Sequence, residues 1–245
     1  MSETLFGLHA VLTALERRPD ALREIYVLQG RRDKRLQKVL ELAARHQLPI
    51  TERSREALDK MVAGRHQGVV AVADAMAPGS EKDIPGIVEA AGRDALILVL
   101  DGVTDPHNLG ACLRSADAAG VQLVIAPKDN SASLNATVSK VACGAAEAVP
   151  FVQVTNLARC LTQLQDLGVW IVGMAGEADD SLYDCDLTGP RALVMGAEGS
   201  GMRRLTKERC DYLAKLPMAG EVSSLNVSVA TGICLFEAVR QRRSL

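Results

Sequence analysis

Ala95–Gly120 reads ALILVLDGVTDPHNLGACLRSADAAG and changes period once. Its first six residues are apolar without alternation, as in a strand buried on both faces. Pro106 then suits the first turn of a helix, and Leu109, Cys112, Leu113 and Ala116 recur at helical spacing as its buried stripe. A doubly buried strand feeding a helix is the repeat unit of a parallel sheet with helices on both faces. The same kind of short apolar run returns at Gln122–Ala126, Val149–Val152, Val169–Met174 and Ala192–Met195, with helical stretches between several of them. The expected architecture is therefore a mostly parallel, doubly wound α/β unit. Ligands of such sheets gather at the carboxyl ends of the strands, which puts the weight on the segments just after each one.

Upstream, Ala75–Pro85 (AMAPGSEKDIP) breaks the pattern with proline, glycine and charge, and reads as a linker between a domain at 1–74 and a larger one at 86–245. Within the first domain, Leu5–Leu15 has helical spacing and Glu24–Leu28 reads as a strand. A helix opens at the basic turn Gly30–Arg35, followed by a strand near Ile50, a helix over Arg55–Met61, a loop at Gly64–Gly68 and a strand at Val69–Ala73. This is a small α/β unit. The whole chain carries a net charge of −2, but residues 1–74 carry +3 and residues 75–245 carry −5, which places the basic surface at the N-terminal end. Arg31, Arg32, Lys34 and Arg35 beside a helix start suit a phosphate grip, and a plain solvated helix start accounts for them too. His66, at a loop tip, adds polar reach and carries the same two readings.

Downstream, Gly196-Ala197-Glu198-Gly199-Ser200-Gly201 follows the Ala192–Met195 strand. Its glycines permit close approach of backbone to a ligand. It is not G-x-G-x-x-G, nor does it follow the first strand, so an ordinary dinucleotide enzyme is disfavoured. From Pro217 the chain runs through a Ser-Ser-Leu-Asn turn into a long helix, with Ser223 or Ser224 where an N-cap belongs and Val229, Ile233, Phe236 and Val239 at helical spacing. Six scattered cysteines without a C-x-x-C pair, and four histidines without an H-x-x-x-H pattern, indicate no metal site and a reducing compartment. No apolar run is long enough to cross a bilayer, and the N-terminus lacks the features of a signal peptide, so a cytoplasmic location without membrane contact is expected.

Taken together, DPHNLGACLRSADAAG (105–120), LVMGAEGSGM (193–202) and LPMAGEVSSLNVSVATGICLFEA (216–238) resemble, in order and spacing, the three signature motifs of the SpoU/TrmH family of RNA ribose 2′-O-methyltransferases. The N-terminal unit resembles the L30e-like substrate-binding domain that some members carry. The resemblance implies a SPOUT fold, with the C-terminal segment threaded into a trefoil knot, and S-adenosyl-L-methionine bound in that knot. It also implies a homodimer whose active sites are completed across the interface. The catalytic residues it implies are Asn108, Arg114, Glu198, Ser224 and Asn226; the cofactor contacts are Gly196, Leu216, Met218 and Leu225. The member most resembled methylates a guanosine ribose in the peptidyl-transferase P loop of 23S rRNA. A tRNA or another rRNA site, or a non-catalytic ribosome-assembly role, are the alternatives. Because a guanidinium has a pKa above roughly 12, Arg114 is expected to hold phosphate and stabilise a developing alkoxide rather than to act as an ordinary base.

Overall fold

The computed structural model describes residues 2–62, 64–74 and 78–243. By its contacts the chain divides into two compact units, Met1–Ala77 with Leu134–Ala148, and Pro78–Ser133 with Val149–Leu245.

The first unit opens with β1 (Ser2–Phe6), α1 (Leu8–Arg17), β2 (Leu22–Leu28), α2 (Lys34–Arg45), β3 (Ile50–Arg53), α3 (Arg55–Met61) and β4 (Val69–Asp74). Its sheet has the order β1-β4-β2-β3, with β4 antiparallel to both of its neighbours and β2 parallel to β3. Period-two alternation sorts β4 between two layers. Val69, Ala71 and Ala73 pack with Val11, Leu15, Leu36 and Val39 of α1 and α2, whereas Val70 packs with Leu58 of α3. The helix expected over Leu5–Leu15 starts only at Leu8. Gly7, at φ 93°, makes a corner that few other residues accept, and Leu5 before it is a buried strand residue paired with Ala71.

The second unit carries α4 (Ile84–Ala91), β5 (Leu96–Asp101), α5 (Pro106–Ala118) and β6 (Leu123–Pro127). The chain then leaves it for α6 (Ala136–Ala142) and α7 (Ala145–Ala148), which belong to the first unit, and returns for β7 (Phe151–Val154). There follow α8 (Leu157–Asp166), β8 (Trp170–Met174), β9 (Asp180–Ser181), β10 (Arg191–Gly196), α9 (Arg204–Glu208), β11 (Tyr212–Lys215) and α10 (Val227–Arg243). All seven strands are parallel, in the order β7-β6-β5-β10-β8-β11-β9. Ile97, Val99, Ala192 and Val194 pack with Ile84 and Val88 of α4 and with Leu157, Leu161 and Leu164 of α8. The alternate residues Leu98, Leu100 and Leu193 are fully buried toward the opposite face, where α10 packs on α5 and β10.

Two boundaries differ from the sequence expectation. Residues 75–77 of the expected linker lie outside the described residues, and its second half is structured. Gly79 N–H donates to the Phe151 carbonyl at 2.7 Å, Ser80 and Asp83 form a capping box, and Ile84 begins α4. Residues 134–148, expected within the catalytic unit, fold against the N-terminal one. Val138, Ala142, Ala145 and Ala146 are buried there, and Glu147, its side chain 2% exposed, pairs with Arg18, which also binds Glu3 at 2.5 Å. Among the described residues no helix is long and apolar enough to cross a membrane, and no group of three or more His, Cys, Asp or Glu is placed to hold a metal ion.

The far end of α10 is fastened by Arg242, whose guanidinium donates to the carbonyls of Asp94 (2.8 Å), Ala95 (3.1 Å), Leu187 (3.2 Å) and Gly189 (2.5 Å). Gln241 adds bonds to Leu187 N–H (2.8 Å) and the Cys185 carbonyl (3.0 Å). Arg242→Ala leaves partly buried carbonyls without donors and should lower stability by about 2 kcal/mol, read as a lower urea midpoint at unchanged slope. Deleting residues 1–74 alone uncovers the apolar faces of α6 and α7 and should give a poorly soluble, dye-binding product. Deleting 1–74 and also replacing 134–148 by a short polar linker should restore a cooperative unfolding transition, checked by near-UV circular dichroism.

Candidate active site

Parallel register sets Asp101, the last residue of β5, beside Gly196, the last of β10, so the segments after both strands leave from one carboxyl edge of the sheet. After β5, the Asp105 carboxylate caps α5 by accepting from His107 N–H at 2.9 Å, and Pro106 occupies the first turn; Asn108 follows in that turn. After β10, Ala197 and Gly201 exchange two backbone hydrogen bonds of 3.0 and 2.9 Å, closing a hairpin with Glu198, Gly199 and Ser200 at its tip. This fold-back needs glycine at 196, where a Cβ would lie 2.3 Å from the Gly201 carbonyl carbon and 2.4 Å from the Met202 nitrogen. Before α10, the cap is Asn226, whose Oδ1 accepts from Ser228 N–H at 2.9 Å and whose carbonyl accepts from Ala230 N–H at 3.0 Å. Ser223 and Ser224, the expected caps, lie ahead of the helix. Asn226 competes better because it caps and bonds sideways at once.

These three segments meet. Asn226 Nδ2 donates to Asn108 Oδ1 at 3.0 Å and to Glu198 Oε1. Asn108 Nδ2 donates to the same Glu198 oxygen at 3.3 Å, and Val227 N–H, at the mouth of α10, donates to it at 3.2 Å. A carboxylate at a helix N-terminus also complements the partial positive charge of the unpaired N–H groups there. Beside this network opens a cavity of about 650 Å³, lined among others by Gly196, Leu216, Met218, Leu225, Glu198 and Ser224. All four expected cofactor contacts thus face one space. Its lining mixes apolar side chains with backbone edges and polar groups in about equal measure, which fits an organic ligand of cofactor size that carries both. The lining also includes Met174, Glu177 and Lys207, which sequence reasoning missed. Lys207 hydrogen-bonds Glu177 and holds its carboxyl below the usual range. Of these, only Glu177 lies in a segment just after a strand; Met174 ends β8 and Lys207 lies within α9, and none belongs to a motif. Beneath the site, burial pushes the Cys112 thiol up to about 11, so this cysteine is a packing group bonded to Thr231 and not a nucleophile.

Arg114 stands apart. It is exposed on α5, six residues beyond Asn108, which turns it about 120° around the helix from the asparagine. It is neither in the Asn108–Glu198–Asn226 network nor among the residues lining the cavity.

In the N-terminal unit the β2–β3 pairing sets Leu28 opposite Arg53, and Leu28 N–H bonds the Gly68 carbonyl at 2.9 Å. The basic turn, the Arg53–Arg55 corner and the loop at 64–68 therefore share one end of the sheet. Arg31 binds the Gln67 carbonyl and Asp33, and Asp33 caps α2. Arg32, Lys34 and Arg35 are exposed, with no side-chain partner among the described residues. Arg53, Arg55 and Arg65 are also exposed at this end, and were missed because they are dispersed in sequence and only the register gathers them. His66 corrects the expectation of a reaching loop-tip side chain. It is 5% exposed, its Nε2 is 3.0 Å from Asp59 Oδ1, and its Nδ1 accepts from Gly68 N–H at 3.0 Å, so it locks the loop from inside.

The model of the SpoU rRNA methylase family matches residues 95–236, and a second model, RNA 2′-O ribose methyltransferase substrate binding, matches residues 4–78. The chain is 58% identical over 243 residues to the 23S rRNA (guanosine-2′-O-)-methyltransferase RlmB of Pseudomonas aeruginosa, covering 99% of this chain and 98% of that one. The RlmB of Escherichia coli is likewise 58% identical over 243 residues, 99% of this chain and 100% of that one. Among solved structures, the SpoU methyltransferase AviRb from Streptomyces viridochromogenes superposes with a TM-score of 0.83 at 26% identity, covering 99% of this chain and 90% of that one. The same enzyme in complex with the cofactor AdoMet gives 0.81 at 25% identity, covering 100% and 92%. With a matched motif domain, a matched substrate domain and relatives of this identity along its whole length, the chain belongs to the SpoU rRNA methylase family.

Proposed function

We propose that this protein transfers a methyl group from S-adenosyl-L-methionine to the ribose 2′-oxygen of a guanosine in 23S rRNA, at the peptidyl-transferase P loop. The observation that carries the reading is the meeting of Asn108, Glu198 and Asn226 at the rim of a cavity faced by Gly196, Leu216, Met218 and Leu225. The relatives named RlmB at 58% identity supply the guanosine and the rRNA. In this reading the chain between β11 and α10 is the knotted segment, which brings Leu216 and Leu225 to one cavity. The location is cytoplasmic.

The cofactor supplies an electrophilic methyl on a sulfonium. The protein must hold the ribose in line with it and manage the hydroxyl proton. Glu198 takes its donors on Oε1, while its Oε2 makes no hydrogen bond among the described residues and is the acceptor available to a ribose hydroxyl. Asn108 and Asn226 fix that carboxylate, and Ser224 lines the cavity beside it. Arg114 holds the phosphate of the target nucleotide and stabilises the developing oxyanion.

Because Arg114 is turned away from Asn108, it serves the site of a second copy in a homodimer. The exposed apolar residues Val229 (52%) and Phe236 (50%) of α10 support such an interface. The exposed cations Arg32, Lys34 and Arg35, with Arg31 braced among them, grip the rRNA backbone.

Arg114→Ala and Glu198→Gln should each abolish methyl transfer to unmodified 23S rRNA. Mixing and re-equilibrating the two inactive proteins should recover roughly a quarter of wild-type activity, because half of the dimers then hold one intact site. No recovery, with dimer exchange shown by mass, would place Arg114 in its own subunit's site. Arg32→Glu with Lys34→Glu should weaken rRNA binding and flatten its salt dependence by about one to two units of log slope, leaving cofactor affinity unchanged. Mapping of the labelled ribose tests the substrate: label in tRNA or at another rRNA position would redirect the reading. Cofactor and RNA binding without label in any RNA would point to an assembly factor.

A further inference from the structure

Asp101 is a buried carboxylate that the proposed chemistry does not use. It ends β5 with 1% of its surface exposed. Burying a carboxylate is unfavourable unless directed donors replace water. Among the described residues both of its hydrogen bonds come from one residue 102 positions away: Arg203 N–H to Oδ2 at 2.8 Å, and Arg203 Nε to Oδ1 at 2.6 Å.

Arg203 ends the return arm of the Ala197–Gly201 hairpin and immediately precedes α9, which carries Lys207 into the cavity wall. The tip of the hairpin is tied through Glu198 to Asn108, Asn226 and Val227, but its return arm has little else to hold it. Glu198, Gly199, Ser200 and Gly201 are exposed, and only Met202, 6% exposed, enters the core. An apolar contact at Met202 fixes depth but not direction. The two-point bond to a carboxylate fixes direction as well.

We infer that Asp101, acting through Arg203, is a positioning residue. It sets the hairpin that bears Glu198 and the start of α9 so that both meet the adenosyl cofactor. This rests on the methyltransferase reading of the cavity. Asp101 touches neither cofactor nor RNA; its effect passes through the hairpin.

The test measures S-adenosylmethionine affinity by equilibrium dialysis, rRNA affinity, thermal midpoint and amide exchange on the full-length protein. Arg203→Met should raise the cofactor Kd about tenfold while rRNA affinity stays within about twofold. Exchange at the Ala197 and Gly201 amides should quicken, with the β5 and β10 amides unchanged. Arg203→Met combined with Asp101→Asn removes the unpaired buried charge, so the thermal midpoint should return toward wild type while the cofactor Kd stays raised. Arg203→Lys, which keeps a cation for the carboxylate, should lie within about threefold of wild type. A cofactor Kd within about twofold of wild type in the double variant, or an affinity loss that recovers with the thermal midpoint, would overturn the inference and leave Asp101 a stabilising group only. Failure of the wild-type protein itself to bind the cofactor would overturn the parent reading too.

Discussion

One carboxylate oxygen ties three remote parts of the chain together. Glu198 Oε1 accepts from Asn108 Nδ2, 90 residues before it, from Asn226 Nδ2, 28 residues after it, and from Val227 N–H at the start of α10. Three N–H donors converge on one oxygen, and each donor loses its partner if the hairpin moves. The arrangement works only because β5 and β10 are adjacent and in register, which brings their following segments out side by side. Sheet topology therefore sets the place of the site, and the carboxylate sets its geometry.

The layout of the two units follows a different constraint. Between β6 and β7 the chain departs to build α6 and α7 into the N-terminal unit, so the backbone crosses between units three times. Glu147 explains why the excursion stays. Burial pushes its carboxyl up, nearby Glu3 adds a like charge, and the guanidinium of Arg18 compensates both carboxylates. A buried ion pair specifies its partners more than it stabilises them, because removing one member strands the other. The N-terminal unit is consequently not a module hung on one linker.

Much of this was legible in the sequence where a single physical demand acts on a segment. The parallel strands have no solvent face, so LILVLD and RALVMG read as near-continuous apolar runs and appear as β5 and β10 within a residue or two of expectation. The residues of the site were found by their motifs, since no periodicity requires a glutamate at 198 or asparagines at 108 and 226. What escaped were features that tertiary contacts decide. Leu5 satisfies both a helical and a strand pattern, and pairing with β4 settles it. His66 looks like a loop-tip ligand until Asp59 and Gly68 enclose it. Arg53, Arg55 and Arg65 become neighbours of the basic turn only through strand register, which is how a chain of net charge −2 presents a cationic edge.

The last helix carries the same lesson further. Val229, Ile233 and Phe236 have the spacing of a core stripe, yet Val229 and Phe236 are half exposed, and the core takes Val227, Thr231, Cys234, Leu235 and Ala238 instead. A helix apolar on both faces belongs between two packed layers. One layer is present, since α5 and β10 cover the inner face. The outer face holds apolar side chains at the same helical period, and an arginine on α5 is turned away from the cavity its family motif implies it should serve. The homodimer proposed above would resolve both mismatches at once, by covering Val229 and Phe236 and by supplying a site for Arg114. Neither mismatch alone requires an interface. That they have a common solution is the physical argument for one.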